Sequence, residues 1–262
     1  MHHISILPGL SRLAKQHLQA CGITTLDQIV AMPPEALTQY KGIKTTAHAV
    51  HAQARAFVEE CPVWYQPLPE RCHQCGVMFD LETDPFTGLP WSWGWVDTHN
   101  TPHVLIVADR RNIQTVSLHD GRTITTVPDK DIAWEVFAEA MGHGDCPIYH
   151  WTGFDAGVMR ATAPYAVREQ LEHRMHDLHH SFKHSVKFPI NSNSLKVVAR
   201  YLDFDWVEYD AWDAAYWDYQ RWLRQGDVYA LARSCNYQQA DVEALTVVWG
   251  YLVGESRTAT QS

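Results

Sequence analysis

The sequence predicts an α/β domain preceded by a small all-α domain, and three observations carry this reading. Residues 1–60 break into short stretches with helical spacing and hold no strand-like run. Residues 61–76 contain Pro62, Pro67 and Pro69 and read as a linker. From residue 77 onward, short apolar runs bounded by turn residues alternate with a helical pattern, as in a sheet flanked by helices.

The helical part opens at L-P-G-L, residues 7–10, which leads into a stretch ending near Gly22. Thr25 suits the N-cap of a second short helix, and Pro33 or Pro34 suits the first turn of a third. Y-K-G-I-K at 40–44 then leads into T-T-A-H-A-V-H-A-Q-A-R-A-F-V. Beyond the linker, V-M-F-D-L-E-T, S-W-G-W-V, H-V-L-I-V-A and I-Q-T-V-S-L are strand candidates. D-K-D-I-A-W-E-V-F-A-E-A-M places Ile132, Val136, Phe137 and Met141 at helical spacing. C-P-I-Y-H-W is a further buried strand, and after about residue 155 the chain reads mostly helical. The α/β domain spans 77–252, and 253–262 read as a flexible tail.

Composition narrows the class. Hydrophobic residues are 46% and charged residues 19%, which excludes a disordered chain. No run approaches the roughly 18 apolar residues of a membrane span. The N-terminus has no basic segment followed by an apolar one, so a cytoplasmic location with reduced thiols is expected for the six cysteines. Cys72 and Cys75 are either free linker cysteines or half of a zinc site that needs a second ligand pair. The net charge of −9 supplies no global field for a polyanion. Residues 1–60 carry +1 and the remainder −10, so the helical part repels a polyanion least.

Carboxylates mark the candidate site. Asp80 and Glu82 lie two apart on a strand and share a face. Two carboxylates on an apolar strand call for a neutralising cation, or for an edge strand with one wet face. Asp155 follows the buried strand that ends at Y-H-W, and Tyr237 and Asp241 stand four apart on one helix face. Such an oxygen-ligand set suits two Mg²⁺ or Mn²⁺ ions rather than softer metals. A pair of such ions can activate a water and stabilise a leaving oxygen. Tyr237, neutral at working pH, would orient the water by a hydrogen bond.

The order of strands and helices is that of a ribonuclease H-like sheet, a central mixed sheet with flanking helices. The motifs resemble those of the DEDD exonuclease superfamily, tyrosine branch. D-x-E matches Asp80 and Glu82, the aromatic-Asp pair matches Phe154 and Asp155, and Y-x-x-x-D matches Tyr237 and Asp241. Where the family carries an asparagine, this chain has His150, Trp151 or Thr152. N-S-L-K-V-V-A-R-Y-L-D-F at 193–204 is similar to a stretch of the YprB-like or RecB-like group of predicted exonucleases. The resemblance implies a metal-dependent 3′→5′ exonuclease acting on single-stranded DNA, or on RNA. It implies Asp80, Glu82, Asp155 and Asp241 as metal ligands, with Tyr237 as a catalytic partner. A non-catalytic nucleic-acid-binding or docking subunit is the alternative from another class.

Residues 1–60 resemble a tandem helix-hairpin-helix domain, with Gly9 and Gly42 in the hairpin loops. Ser11 and Lys44 stand where that family carries its second glycines. The resemblance implies phosphate contacts at Gly9, Gly42 and Lys44; protein docking is the other use of such a domain. Lys196 is either a phosphate contact near the site or part of an ordinary capped helix. Asp177 is either a fifth carboxylate or a helix cap, and Asp84 reads as a turn residue before Pro85. His173, His176, His179, His180 and His184 form either a metal site or a solvated helix face. Trp206, Tyr209, Trp212, Tyr216, Trp217, Tyr219 and Trp222 either stack on bases or pack the core.

Overall fold

The computed structural model describes residues 2–108, 112–118, 121, 123–207 and 211–259. The helical part begins with α1 (Arg12–Ala20), α2 (Leu26–Val30), a 3₁₀ turn (Pro34–Gln39) and α3 (Ala47–Glu59). Ser11 caps α1 by accepting from the Ala14 amide at 3.1 Å. Thr25 and Gln28 form a reciprocal capping box on α2. Ile4, Leu18, Leu26, Ile29 and Leu37 fill the apolar interior between these helices.

The remaining elements follow in order: β1 (Val63–Trp64), β2 (Val77–Thr83), β3 (Pro90–Val96), β4 (Pro102–Val107), β5 (Gln114–Ser117), β6 (Thr123–Val127), α4 (Lys130–Met141), β7 (Ile148–His150), α5 (Phe154–Thr162), α6 (Tyr165–Leu171), β8 (Met175–Asp177), α7 (Leu178–Ser185), β9 (Val186–Lys187), α8 (Leu195–Tyr201), α9 (Trp212–Gln225) and α10 (Val228–Ala259). Seven strands form one sheet in the order β5-β6-β4-β3-β2-β7-β8. Its centre is the antiparallel set β2, β3, β4, extended in parallel by β7 and β8. This is the ribonuclease H-like architecture: a mixed sheet with flanking helices.

Two strands of that sheet went unexpected. β6 is T-I-T-T-V, β-branched but half polar, and it runs parallel to β4. β8 has three residues and no apolar run, yet pairs with β7. At the C-terminus α10 runs through Ala259, so residues 253–259, expected as a tail, continue the helix; 260–262 lie outside the described residues. Gly226, with φ of 71°, ends α9, and the Asp227 carboxylate accepts from the Tyr229 and Ala230 amides to start α10.

The chain forms two compact units. The first takes in residues 2–69, 180–201 and 252–259 of the described chain. It is larger than the 1–60 segment that the sequence marks off. Residues 61–76, read as a linker, contain β1, which pairs antiparallel with β9. Tyr65 donates its hydroxyl to the Lys183 carbonyl at 2.7 Å, and the buried Gln53 amide donates to the Phe188 carbonyl at 2.6 Å. Residues 180–201 are therefore built into the same unit as the N-terminal helices.

The second unit, residues 70–179 and 202–251, holds the seven-stranded sheet. Val77, Phe79 and Leu81 of β2 face a core shared with Trp93, Trp134 and Phe137. Phe79 stacks on Phe137 with ring centroids 4.5 Å apart. Strand alternation then turns Asp80 and Glu82 to the opposite face. There Gly94, in register with Asp80, lets α10 approach. A Cβ at Gly94 would lie 2.6 Å from Gln238 Cγ. The missing side chain brings α10 down onto the strand that carries the carboxylates.

Candidate active site

Asp80, Glu82 and Asp241 each offer a carboxylate oxygen within 4.8 Å of the others. β2 supplies the first two and α10 the third. Among the described residues, this is the grouping of His, Cys, Asp and Glu side chains with metal-ligand spacing. Asp155, on the first turn of α5, is 2% exposed and outside that set of three. Its Oδ1 accepts from the Leu81 amide at 3.3 Å, which fastens it to β2 beside Asp80.

The electrostatics describe a site short of positive charge. Burial pushes the Asp80 carboxyl well above the usual range, and the charges of Asp155, Asp241 and Glu82 push it the same way. Burial also raises Asp155, to about 8, with Asp177 and Asp241 adding to the shift against hydrogen bonds from its own amide and that of Leu81. Removing either proton is costly until a cation arrives, so the four carboxylates fit a divalent metal. Asp80, Glu82 and Asp241 form its compact face, with Asp155 beside Asp80.

Three neighbours orient these groups. Gln238 Nε2 donates to Asp80 Oδ2 at 2.8 Å, and Trp206 Nε1 donates to Asp241 Oδ1 at 2.8 Å. Tyr237, 4% exposed, is hydrogen-bonded to Asp241. Burial first, then the charges of Asp241, Glu82 and Asp80, drive its phenol far above the ordinary range, so it stays neutral. Gln238 was not singled out in the sequence. Its signal was present, because it stands between Tyr237 and Asp241 and one helical turn after Ser234, but glutamine carries no chemical flag. Trp206 was noted only among the aromatics.

His150 is the first of the three residues, His150, Trp151 and Thr152, set in the sequence against the asparagine of the resembled family. It is 2% exposed and hydrogen-bonded through Nδ1 to the Thr152 carbonyl, with Nδ1 3.9 Å from Asp155 Oδ2. Burial lowers its pKa, against that hydrogen bond and the charge of Asp177, and favours the neutral ring. Thr152 has φ of 72°, a conformation a β-branched residue adopts only under constraint. The strained turn presents its carbonyl to His150 at the entrance to α5.

The other candidates separate by place. Asp177 ends β8 opposite His150 and acts on Asp155 by charge. Asp84 accepts from the Phe86 and Thr87 amides and from the Tyr216 hydroxyl, as a turn residue should. Trp91, Tyr216, Tyr219 and Trp222 pack one core, with Trp91 stacked on Tyr219 at 4.3 Å. Trp212 and Phe154 are about half exposed and line a cleft of ≈ 270 Å³ with Glu82, Thr83 and Pro85. Tyr209 lies outside the described residues. His180 and His184 pair on α7 with rings 4.2 Å apart, but His176 lies on β8, so the expected helical His176–His180 pair is absent. Cys72 is buried against His176, 3.2 Å from its Nε2, and Cys75 is exposed; none of the six cysteines forms a disulfide. Gly9, Gly42, Lys44 and Lys196 belong to the first unit, whereas the carboxylates belong to the second. Gly9 and Gly42 have φ of 76° and 85°, which explains glycine at both positions.

The fold and the carboxylate cluster together suggest a nuclease. A family model of the RNase H superfamily matches residues 77–253, and the chain belongs to that superfamily. Its members are mostly hydrolytic nucleases that use divalent metals. No curated protein and no solved structure matches the chain. Among the described residues no helix is long and apolar enough to cross a membrane.

Proposed function

We propose that the chain is a metal-dependent 3′→5′ exonuclease of the DEDD tyrosine branch, in the YprB-like or RecB-like group. Its substrate is single-stranded DNA, with RNA as the second choice. The observation that carries this reading is the convergence of Asp80, Glu82 and Asp241 within 4.8 Å, with Asp155 tied to the same strand. These residues would hold Mg²⁺ or Mn²⁺. When bound, the metal supplies Lewis-acid stabilisation of the phosphoryl oxygens and a lowered pKa for attacking water.

The chain's own residues do the rest. Gln238 and Trp206 hold Asp80 and Asp241 in fixed rotamers, so little reorganisation is needed when substrate arrives. The neutral Tyr237 hydroxyl orients a water by hydrogen bonding, with Asp241 as its fixed partner. Phe154 and Trp212 offer exposed rings beside Glu82, suited to stack the terminal base of a strand. In the N-terminal segment, the hairpin loops at Gly9 and Gly42 support the helix-hairpin-helix reading.

The deciding experiment incubates the chain with 5′- and 3′-labelled DNA and RNA strands under Mg²⁺, Mn²⁺ or EDTA. Stepwise shortening of 5′-labelled strands, abolished by EDTA, is expected. Internal cutting would make it an endonuclease, and no cutting under either metal would leave only a binding role.

A further inference from the structure

The first compact unit contains a cleft of ≈ 510 Å³. The 7–10 loop, the start of α3, Tyr65, Lys183, His184 and Lys187 form its walls. Among the described residues no Asp or Glu lines it, although the chain carries a net charge of −9. The unit around it, residues 2–69, 180–201 and 252–259, holds ten Lys and Arg against five Asp and Glu, so the cleft lies in the basic part of an acidic chain.

The lysines are not simply waving in solvent. Lys187 is half-buried and donates to the Lys183 carbonyl at 2.5 Å, with its ammonium 5.3 Å from the centroid of the Tyr65 ring. Burial lowers its pKa to about 8, and the Lys183 charge lowers it further in the same direction. No carboxylate offsets these effects on Lys187. Two ammonium groups sharing a half-buried cleft without a counter-ion are destabilising until an anion joins them. The start of α3 adds to the same wall, since Thr46 makes no side-chain cap to the first amides of that 13-residue helix.

We propose that this cleft binds the phosphate group of a nucleotide, either a free mononucleotide or one residue of a strand. Phosphate oxygens accept from both ammonium groups at once, as charge-assisted hydrogen bonds. The volume lies within the range of small-ligand sites, about 300–1,000 Å³, and leaves room for a sugar and base. Neither Lys44 nor Lys196 lines the cleft, so the basic residues that matter are Lys183 and Lys187. None of the four carboxylates of the candidate active site lines it either, so the inference does not depend on the nuclease reading.

The test uses the full chain bearing Asp80→Asn, in EDTA, so that strands stay intact and no metal bridges them. Inorganic phosphate, adenosine monophosphate and a 12-nucleotide single strand are titrated calorimetrically. Saturable binding of the mononucleotide or the strand is expected, with at least a tenfold loss in Lys183→Ala and in Lys187→Gln. Tighter binding of the mononucleotide assigns the site to a free nucleotide, and tighter binding of the strand assigns it to nucleic acid. For the strand, losing this one phosphate contact should reduce the logarithmic salt slope by about 0.7. Bound nucleotide should also slow acetylation of Lys187, read by mass spectrometry; if Lys187→Gln fails to fold, Lys183→Ala and this protection decide. No saturable binding, or binding unchanged in folded variants with Lys187 unprotected, overturns the proposal. A wild-type chain that cuts nothing would sink the nuclease reading and leave this one standing.

Discussion

In the second unit four carboxylates share one end of a sheet, while in the first unit two lysines share a cleft with no acid on its walls. Both arrangements work against folding when empty, and both are held by neighbours that give up hydrogen bonds to keep them. Gln238 and Trp206 hold the carboxylates, and the Lys183 carbonyl and the Tyr65 ring hold Lys187. The difference is in how completely each is enclosed. Asp155 is almost fully buried, and its retention demands a strongly bound counter-charge. Lys187 is only partly buried, and its cleft suits a ligand that comes and goes.

The largest effect is expected where the comparison is most lopsided. Asp80→Ala removes the carboxylate that faces all the others, and cleavage should fall to background under saturating Mg²⁺. The same variant should melt higher than wild type in EDTA, because it relieves like-charge repulsion. Wild-type rates in the variant would show that the carboxylate cluster is not the catalytic centre. Tyr237→Phe comes next. It removes one hydroxyl and keeps the ring, so cleavage should slow by about 10²–10⁴-fold, the span of a positioned proton-transfer group. Mn²⁺ affinity by calorimetry should hardly move, and a large drop would make the phenol a ligand or a structural support instead.

A smaller effect is expected at Trp206. Trp206→Phe deletes the indole N–H given to Asp241 at 2.8 Å and leaves most of the ring. A hydrogen bond to a charged group contributes roughly 1.5–3 kcal/mol, so Mn²⁺ binding should weaken by about 10- to 150-fold. Kinetics that respond to added Mn²⁺ would separate this loss of ligand orientation from loss of fold. Unchanged affinity would mean that Asp241 is held well enough by Tyr237 alone.

The parts of this site that were legible in the sequence are those with a period. Asp80 and Glu82 are two apart on a strand, and Tyr237 and Asp241 are four apart on a helix, so their faces could be read directly. The β2-to-β7 core was legible for the same reason. Asp177 was not, because β8 has three residues and no alternation to read. Gln238 was invisible because its role depends on Gly94, on the neighbouring strand β3 beneath α10, having no side chain. The first unit was the hardest to see. Its two-residue strands β1 and β9 pair across more than a hundred residues of chain, and no local pattern announces such a pairing. Lys183 and Lys187 carry no sequence signal of their own, and it is that pairing that brings them to Tyr65.

The smallest expected effect is on the melting temperature, and it distinguishes the two sites by the sign of their pH dependence. Asp155 titrates at about 8 in the folded chain, and a free aspartate titrates at about 3.9. Between those values the folded state holds the extra proton, so this contribution is fully present at low pH and is lost as pH rises toward 8. Asp80, raised in the same direction, adds to that loss. Lys187 also titrates at about 8 when folded, against about 10.4 when free. There the unfolded state holds the extra proton, so stability rises as pH climbs from 8 toward 10 and is lost as pH falls back through 8. Together the two sites should place a trough in the melting temperature near pH 8, measured in EDTA without phosphate. Asp155→Asn should flatten the acid side of the trough, and Lys187→Gln the alkaline side. Mn²⁺ should fill it from the carboxylate side by binding only the folded chain, and a nucleotide should fill it from the lysine side. A curve whose two limbs both respond to one variant would mean that the sites are coupled rather than separate.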